Sequence, residues 1–92
     1  MELWSNSGSV YYRAPESLKG GYDERVDMWA VGVVAYEMLT GSLPFFSKYE
    51  SKIRKMIQET PVDFSKVCAS NELLNLLKDM LEKDPQIRIL PD

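Results

Sequence analysis

Histidine is absent from this sequence. That excludes imidazole general acid–base catalysis, Ser–His and Cys–His nucleophiles, and the commonest protein metal ligand. Cysteine occurs once, as Cys68, so there is no disulfide framework and no thiolate zinc site. Basic blocks and aromatic–basic interleaving are missing and the formal net charge is −3, which argues against a nucleic-acid partner. The N-terminus, M-E-L-W-S-N-S-G-S, has no basic n-region and no apolar h-region. No secretory signal is read there, and a cytoplasmic, intracellular location is the expectation. Long apolar runs are missing too. The longest, Met28 to Tyr36, falls well short of the roughly 18 residues that a membrane span needs, so no membrane partner is expected.

What remains is an ordinary globular composition in 92 residues, 45% hydrophobic and 27% charged. That is enough for one small domain with a modest core. Its most distinctive stretch is Val26 to Leu39, V-D-M-W-A-V-G-V-V-A-Y-E-M-L, where only Asp27 and Glu37 are charged. A helix that is apolar nearly all round has no face left for water and must be enclosed. It is expected over about 24–40, with Asp23 as N-cap, Glu24 in its first turn, Gly41 just past its end and Pro44 preventing resumption.

Ahead of this helix, Val10-Tyr11-Tyr12-Arg13 reads as short and β-prone before Pro15, and Pro15-Glu16-Ser17-Leu18 as a single helical turn with Pro at its first position. Beyond it, Tyr49, Ile53, Met56 and Ile57 recur at helical spacing and predict a helix over 48–59 with one buried stripe, ended by Pro61. Val62-Asp63-Phe64 reads as extended. A third helix is predicted over 71–82, with Ser70 as N-cap and Leu73, Leu74, Leu76, Leu77, Met80 and Leu81 over about half of its circumference. The fold class is all-α.

Three local signals stand in order: Gly8-Ser9-Val10-Tyr11-Tyr12-Arg13-Ala14-Pro15-Glu16; Asp27-Met28-Trp29-Ala30-Val31-Gly32-Val33, beginning eleven residues beyond Glu16; and Leu81-Glu82-Lys83-Asp84-Pro85 followed by Arg88-Ile89. Together they resemble the C-terminal lobe of a eukaryotic serine/threonine protein kinase, in which the first carries the A-P-E motif. The D-x-W-x-x-G helix leading into Leu39 to Phe45, L-T-G-S-L-P-F, is the most specific part. The resemblance covers essentially all of residues 1–92, read as a partial kinase domain with no second domain. The central helix and the L-P-F segment look like calcium/calmodulin-dependent or calcium-dependent kinases. Tyr12 to Glu16 also resembles the cyclin-dependent group.

The resemblance implies roles. Glu16 would pair with Arg88, 72 residues on; if exposed the pair is worth about 0–1 kcal/mol, and if buried its disruption costs about 3–5 kcal/mol. Asp27 would hold the backbone of a catalytic loop, Trp29 would anchor the packing, and Gly32 would admit a close approach of another backbone. Ser9 would bond catalytic-loop groups, and Val10, Tyr11, Tyr12 and Arg13 would line the pocket for the residue after the phosphoacceptor. Ser5, three before Gly8, occupies the place of an activating phosphosite, where phosphate would add about −1.5 to −2 charge.

Phosphoryl transfer also needs a nucleotide cradle, a phosphate-binding Lys, Mg²⁺ ligands and an aspartate to orient the hydroxyl. The sequence contains no G-x-G-x-x-G, V-A-I-K, H-R-D or D-F-G, since Asp63-Phe64-Ser65 follows A-P-E rather than preceding it. No catalytic, cofactor-binding or metal-binding residue is therefore assigned; ATP and Mg²⁺ belong to the complete domain of the family. Two functions stay open: a piece of a serine/threonine kinase whose partners are a protein substrate and the rest of the domain, or a non-catalytic kinase remnant that binds partners as a scaffold. In both, the elements that enclose the central helix in the family are not among these residues. An apolar flank of that helix, with Asp27, is expected to face solvent.

Overall fold

A computed structural model describes residues 7–20 and 24–89. Its α-helices are α1, Arg25–Thr40; α2, Glu50–Glu59; and α3, Asn71–Met80. Three 3₁₀ helices accompany them, at Ser7–Tyr12, Pro15–Lys19 and Phe64–Lys66. The described residues contain no strand, so the all-α class holds. None of their helices is long and apolar enough to cross a membrane.

Helix α1 ends as its sequence demands. Gly41 takes φ 80°, and its N–H donates to Glu37 O at 2.8 Å, a left-handed closure that glycine adopts without Cβ strain. Its expected N-cap, Asp23, lies outside the described residues. Helix α2 begins two residues later than predicted. Tyr49 is extended, and its N–H donates to the Ser47 hydroxyl at 3.2 Å, a local bond that competes with helix continuation. The Tyr49 ring then points outward, and Ile53, Ile57 and half-buried Met56 form the inner stripe. Helix α3 is capped by Ser70, whose hydroxyl accepts from Leu73 N–H at 3.2 Å. It stops at Met80, two residues short of prediction, because Leu81 turns out of helical geometry with φ −98° and ψ 27°. Leu77, Met80 and Leu81 are buried, whereas Leu73 and Leu76 remain exposed.

Two other expectations change. Val10–Tyr12 belong to a 3₁₀ helix rather than a strand, with Arg13 N–H closing onto Val10 O at 3.2 Å. A lone β-prone run finds no strand to pair with among the described residues, and isolated pairing is marginal even where it exists. The extended stretch at Val62 stops at Asp63. Its carboxylate accepts from Ser65 N–H at 3.0 Å and from the Ser65 hydroxyl at 2.6 Å, starting a 3₁₀ turn at Phe64.

The core forms where α1 meets its neighbours. Trp29, Val33 and Tyr36 of α1 lie with Ile53, Ile57, Leu77, Met80 and Leu81, and the segment before α1 adds Val10 and Ala14. The Tyr36 hydroxyl donates to Asp63 O at 2.6 Å, and its ring meets Phe64 edge-on at 6.4 Å. The opposite flank of α1 is uncovered: Asp27 is exposed, Val31 is 50% exposed and Met38 80%. These positions follow one another at i, i+4 and i+11, which is one side of a helix.

Gly32 of α1 lies hard against the C-terminal end of α3. A Cβ there would sit 2.9–3.0 Å from the Leu81 side chain and 3.0 Å from Met80 Cβ. The close neighbours are thus the side chains of Met80, the last residue of α3, and Leu81 just beyond it, not the backbone that the sequence suggested. Gly32→Ala adds helix propensity of about 1 kcal/mol but forces an overpacking cost of about 1–3 kcal/mol. A net loss of about 1 kcal/mol is expected, seen as a lower urea midpoint at unchanged slope.

Candidate functional site

The segment Val10–Glu16 is held residue by residue. Val10 and Ala14 are buried in the core. Ala14 takes φ −70° and ψ 153°, the extended conformation that a following proline enforces, and Pro15 starts the next 3₁₀ turn. Tyr11 stacks on Phe46 with centroids 5.9 Å apart and planes 11° apart. The Tyr12 hydroxyl donates to Glu37 Oε1 of α1 at 3.2 Å. Partial burial, then the Glu37 charge and this hydrogen bond, raise the Tyr12 pKa above its usual value. Arg13 folds over the turn, donating from Nε to Ser17 Oγ at 3.0 Å and from Nη2 to Ser17 O at 2.9 Å. Buried Ser17 in turn donates to Ala14 O at 2.9 Å.

Glu16 meets Arg88 across 72 residues of chain. Nη1 donates to Oε2 at 2.6 Å and Nη2 to Oε1 at 2.9 Å, the two-pronged geometry that a guanidinium offers a carboxylate. Nε donates to Glu82 O at 2.7 Å, Nη1 also to Arg25 O at 3.0 Å, and Nη2 also to Lys83 O at 3.3 Å. All five guanidinium N–H groups therefore have acceptors, which is what permits Arg88 to be only 3% exposed.

A second cation lies close by. Lys83 Nζ donates to Ile57 O and lies 3.5 Å from Met56 O, both in the last turn of α2. It sits 4.4 Å from the Phe45 ring centroid and 5.5 Å from that of Trp29. The Arg88 guanidinium is 5.2 Å from the same Trp29 ring. Burial pushes the Lys83 pKa down to about 8, against a smaller upward pull from Glu82. The rings and carbonyls thus give a partly desolvated ammonium its compensation.

Of the residues singled out from sequence, the structure brings Glu16 and Arg88 together with buried Trp29, and buries Val10 in the same core, while Tyr11, Tyr12 and Arg13 meet Phe46, Glu37 and Ser17. Asp27 stands apart, exposed in the first turn of α1. Ser5 lies outside the described residues; Ser9 falls within the first 3₁₀ helix. No group of three or more His, Cys, Asp or Glu that could hold a metal occurs among the described residues. Sequence reading missed Glu37, Ser17 and Lys83. Glu37 did carry a signal, as one of two charges in an otherwise apolar helix. Lys83 carried none, because nothing local says that it folds onto the end of α2.

Arg88→Ala is expected to cost about 3–5 kcal/mol in urea unfolding, since it strands a carboxylate and several carbonyls. Arg88→Lys keeps the charge but loses the fork, and is expected to recover little of that loss. Lys83 gives a pH dependence. Its folded pKa, about 8, lies below its ordinary 10.5, so the unfolded chain binds more protons between those values. Stability is therefore expected to rise with pH through that window. Tyr12 and Tyr36 act oppositely: burial raises both above their ordinary 10.0, so their contribution holds below pH 10 and declines above it. Thermal melts between pH 7.5 and about 9.5 isolate the lysine, and Lys83→Met is expected to flatten the slope.

The protein kinase domain family matches residues 1–91. Calcium-dependent protein kinase 14 of Arabidopsis thaliana is 36% identical over 85 residues, 89% of this chain and 16% of that protein. Serine/threonine-protein kinase ULK4 of Mus musculus is 42% identical over 88 residues, 88% of this chain and 7% of that protein. Calcium-dependent protein kinase 12 of Oryza sativa subsp. japonica is 40% identical over 85 residues, again 89% and 16%. The chain thus spans only a small part of the length of these relatives, and within that part it belongs to the protein kinase domain family, as a stretch of the helical C-terminal lobe similar to serine/threonine kinases.

Proposed function

We propose that residues 1–92 form the substrate-side part of a serine/threonine protein kinase domain, whose reaction is ATP-dependent phosphoryl transfer to a protein Ser or Thr. The observation that carries this reading is the two-pronged Glu16–Arg88 pair, which locks the A-P-E segment to the end of the lobe. The tethering of Val10–Arg13 supports it further, as a preset surface for the residue after the phosphoacceptor. Ser9 would reach toward catalytic-loop groups, and a phosphate on Ser5 would order the loop before Gly8.

ATP and Mg²⁺ are assigned to other parts of the domain, because no nucleotide cradle, H-R-D or D-F-G occurs in this sequence. The uncovered flank of α1, with Asp27, Val31 and Met38, would receive those parts: an acid for backbone amides and apolar side chains for packing. Residues 1–92 on their own are then structural and not catalytic.

The test is a phosphoryl-transfer assay with Mg²⁺ and ATP on a polypeptide carrying this chain within a whole kinase domain. Incorporation is expected on Ser/Thr peptides and not on Tyr peptides. Tyr12→Phe, which removes the bond to Glu37, is expected to lower kcat/KM for peptide by about tenfold, with little change in the KM for ATP, since a misplaced binding segment costs orientation. Phosphorylation of Tyr peptides alone would overturn the reading, as would robust transfer by residues 1–92 in isolation.

A further inference from the structure

A cleft of about 430 Å³ opens between the end of α2, the 3₁₀ turn at Phe64 and the far end of α3, within the size range of small-molecule sites. Val62, Phe64 and Leu81 give it an apolar wall, and Glu59, Glu82, Lys78 and Lys83 line it with charge. The two lysines differ. Lys78 is exposed, with Nζ 5.8 Å from the Phe64 ring centroid. Lys83 is half-buried, and its Nζ is fixed: it donates to Ile57 O, lies 3.5 Å from Met56 O and faces the Phe45 ring at 4.4 Å.

An ammonium has three N–H donors and no lone pair, whereas a free amine has two N–H groups and one lone pair. Two α2 carbonyls thus match the amine form of Lys83 in number. Burial has already brought its pKa down to about 8, so the amine is well populated just below that pH. A desolvated lysine beside an apolar cleft is the usual setting of an amine nucleophile. The surroundings also choose the electrophile. Acylation would leave a neutral amide where rings and helix-end carbonyls favour a cation. An imine takes up a proton at nitrogen, keeping one N–H for Ile57 O and a positive charge for the rings.

We propose that Lys83 is a covalent capture site for an aromatic aldehyde bearing one acid group. Nζ adds to the carbonyl carbon, and the carbinolamine loses water to give the imine, with no oxidant or reductant consumed. The aryl ring packs on Phe64, Val62 and Leu81, and the acid group meets Lys78. Glu59 and Glu82 oppose a second negative charge. Capture requires no nucleotide and no catalytic loop, so it stands apart from the phosphoryl-transfer reading.

The probe is 4-formylbenzoate, incubated with the 92-residue chain at about pH 7.5 and trapped with cyanoborohydride; peptide mass spectrometry then reads which lysines carry the added mass. Lys83 is expected to label about tenfold or more faster than the exposed Lys48, Lys52, Lys55 and Lys66, because its aldehyde is held in place. An excess of 4-methylbenzoate, which has the same shape without the aldehyde, is expected to slow Lys83 and leave the exposed lysines unchanged. Lys78→Gln, a surface change, is expected to slow Lys83 about threefold, the scale of one exposed ion pair. In concentrated urea the preference for Lys83 is expected to vanish. Circular dichroism would show that the Lys78→Gln chain keeps the helical fold. Labelling of Lys83 no faster than that of the exposed lysines overturns the proposal. So does a preference that survives unfolding, or one indifferent to 4-methylbenzoate.

Discussion

The fold depends on the complete satisfaction of one guanidinium. Arg88 draws together Glu16 from the beginning of the described chain, Arg25 at the start of α1, and the Glu82–Lys83 carbonyls after α3. A buried arginine is tolerable only when its charge and its donors are matched, and one unmatched donor would forfeit much of the gain. Two of the carbonyls it uses, those of Glu82 and Lys83, lie beyond the end of α3 and outside its hydrogen-bond ladder. The same group therefore answers several separate needs. It also closes a loop of 72 residues, and closure entropy grows only slowly with loop length.

Around this node, Trp29 acts as a shared apolar surface for two cations. Arg88 and Lys83 each lie within cation–π distance of its ring. Lys83 continues outward to the C-terminal carbonyls of α2, where positive charge complements the helix dipole. Thus α1 supplies the ring, α2 the carbonyls, and the segment after α3 both cations. The helices are joined by polar chemistry as much as by the apolar contacts of Ile57, Leu77 and Leu81.

The sequence showed the helices well and the joints poorly. The ends of α1 and α3 could be read from Gly41 and Ser70, because capping chemistry is local. The Glu16–Arg88 pair was accessible only through a resemblance to a family, since nothing in either neighbourhood announces a partner 72 residues away. The β-prone look of Val10–Arg13 misled because propensity reports what suits a pleated sheet, and here each side chain is claimed by a different neighbour. Tyr49 misled for the opposite reason. Its spacing matched the inner stripe, but Ser47 took its amide and the ring was left outside. Lys83 could not be seen at all, because its use lies in the tertiary arrangement of three other elements.

The residue-by-residue hold on Val10–Arg13 has a consequence for how its shape is controlled. One side chain goes into the core, one onto Phe46, one to Glu37 and one back to Ser17. Four separate anchors leave little backbone freedom in Val10–Arg13, so a substrate that binds there as proposed would meet a segment preorganised by the lobe itself. A phosphate on Ser5, on the same proposal, would then change access to that segment rather than its form.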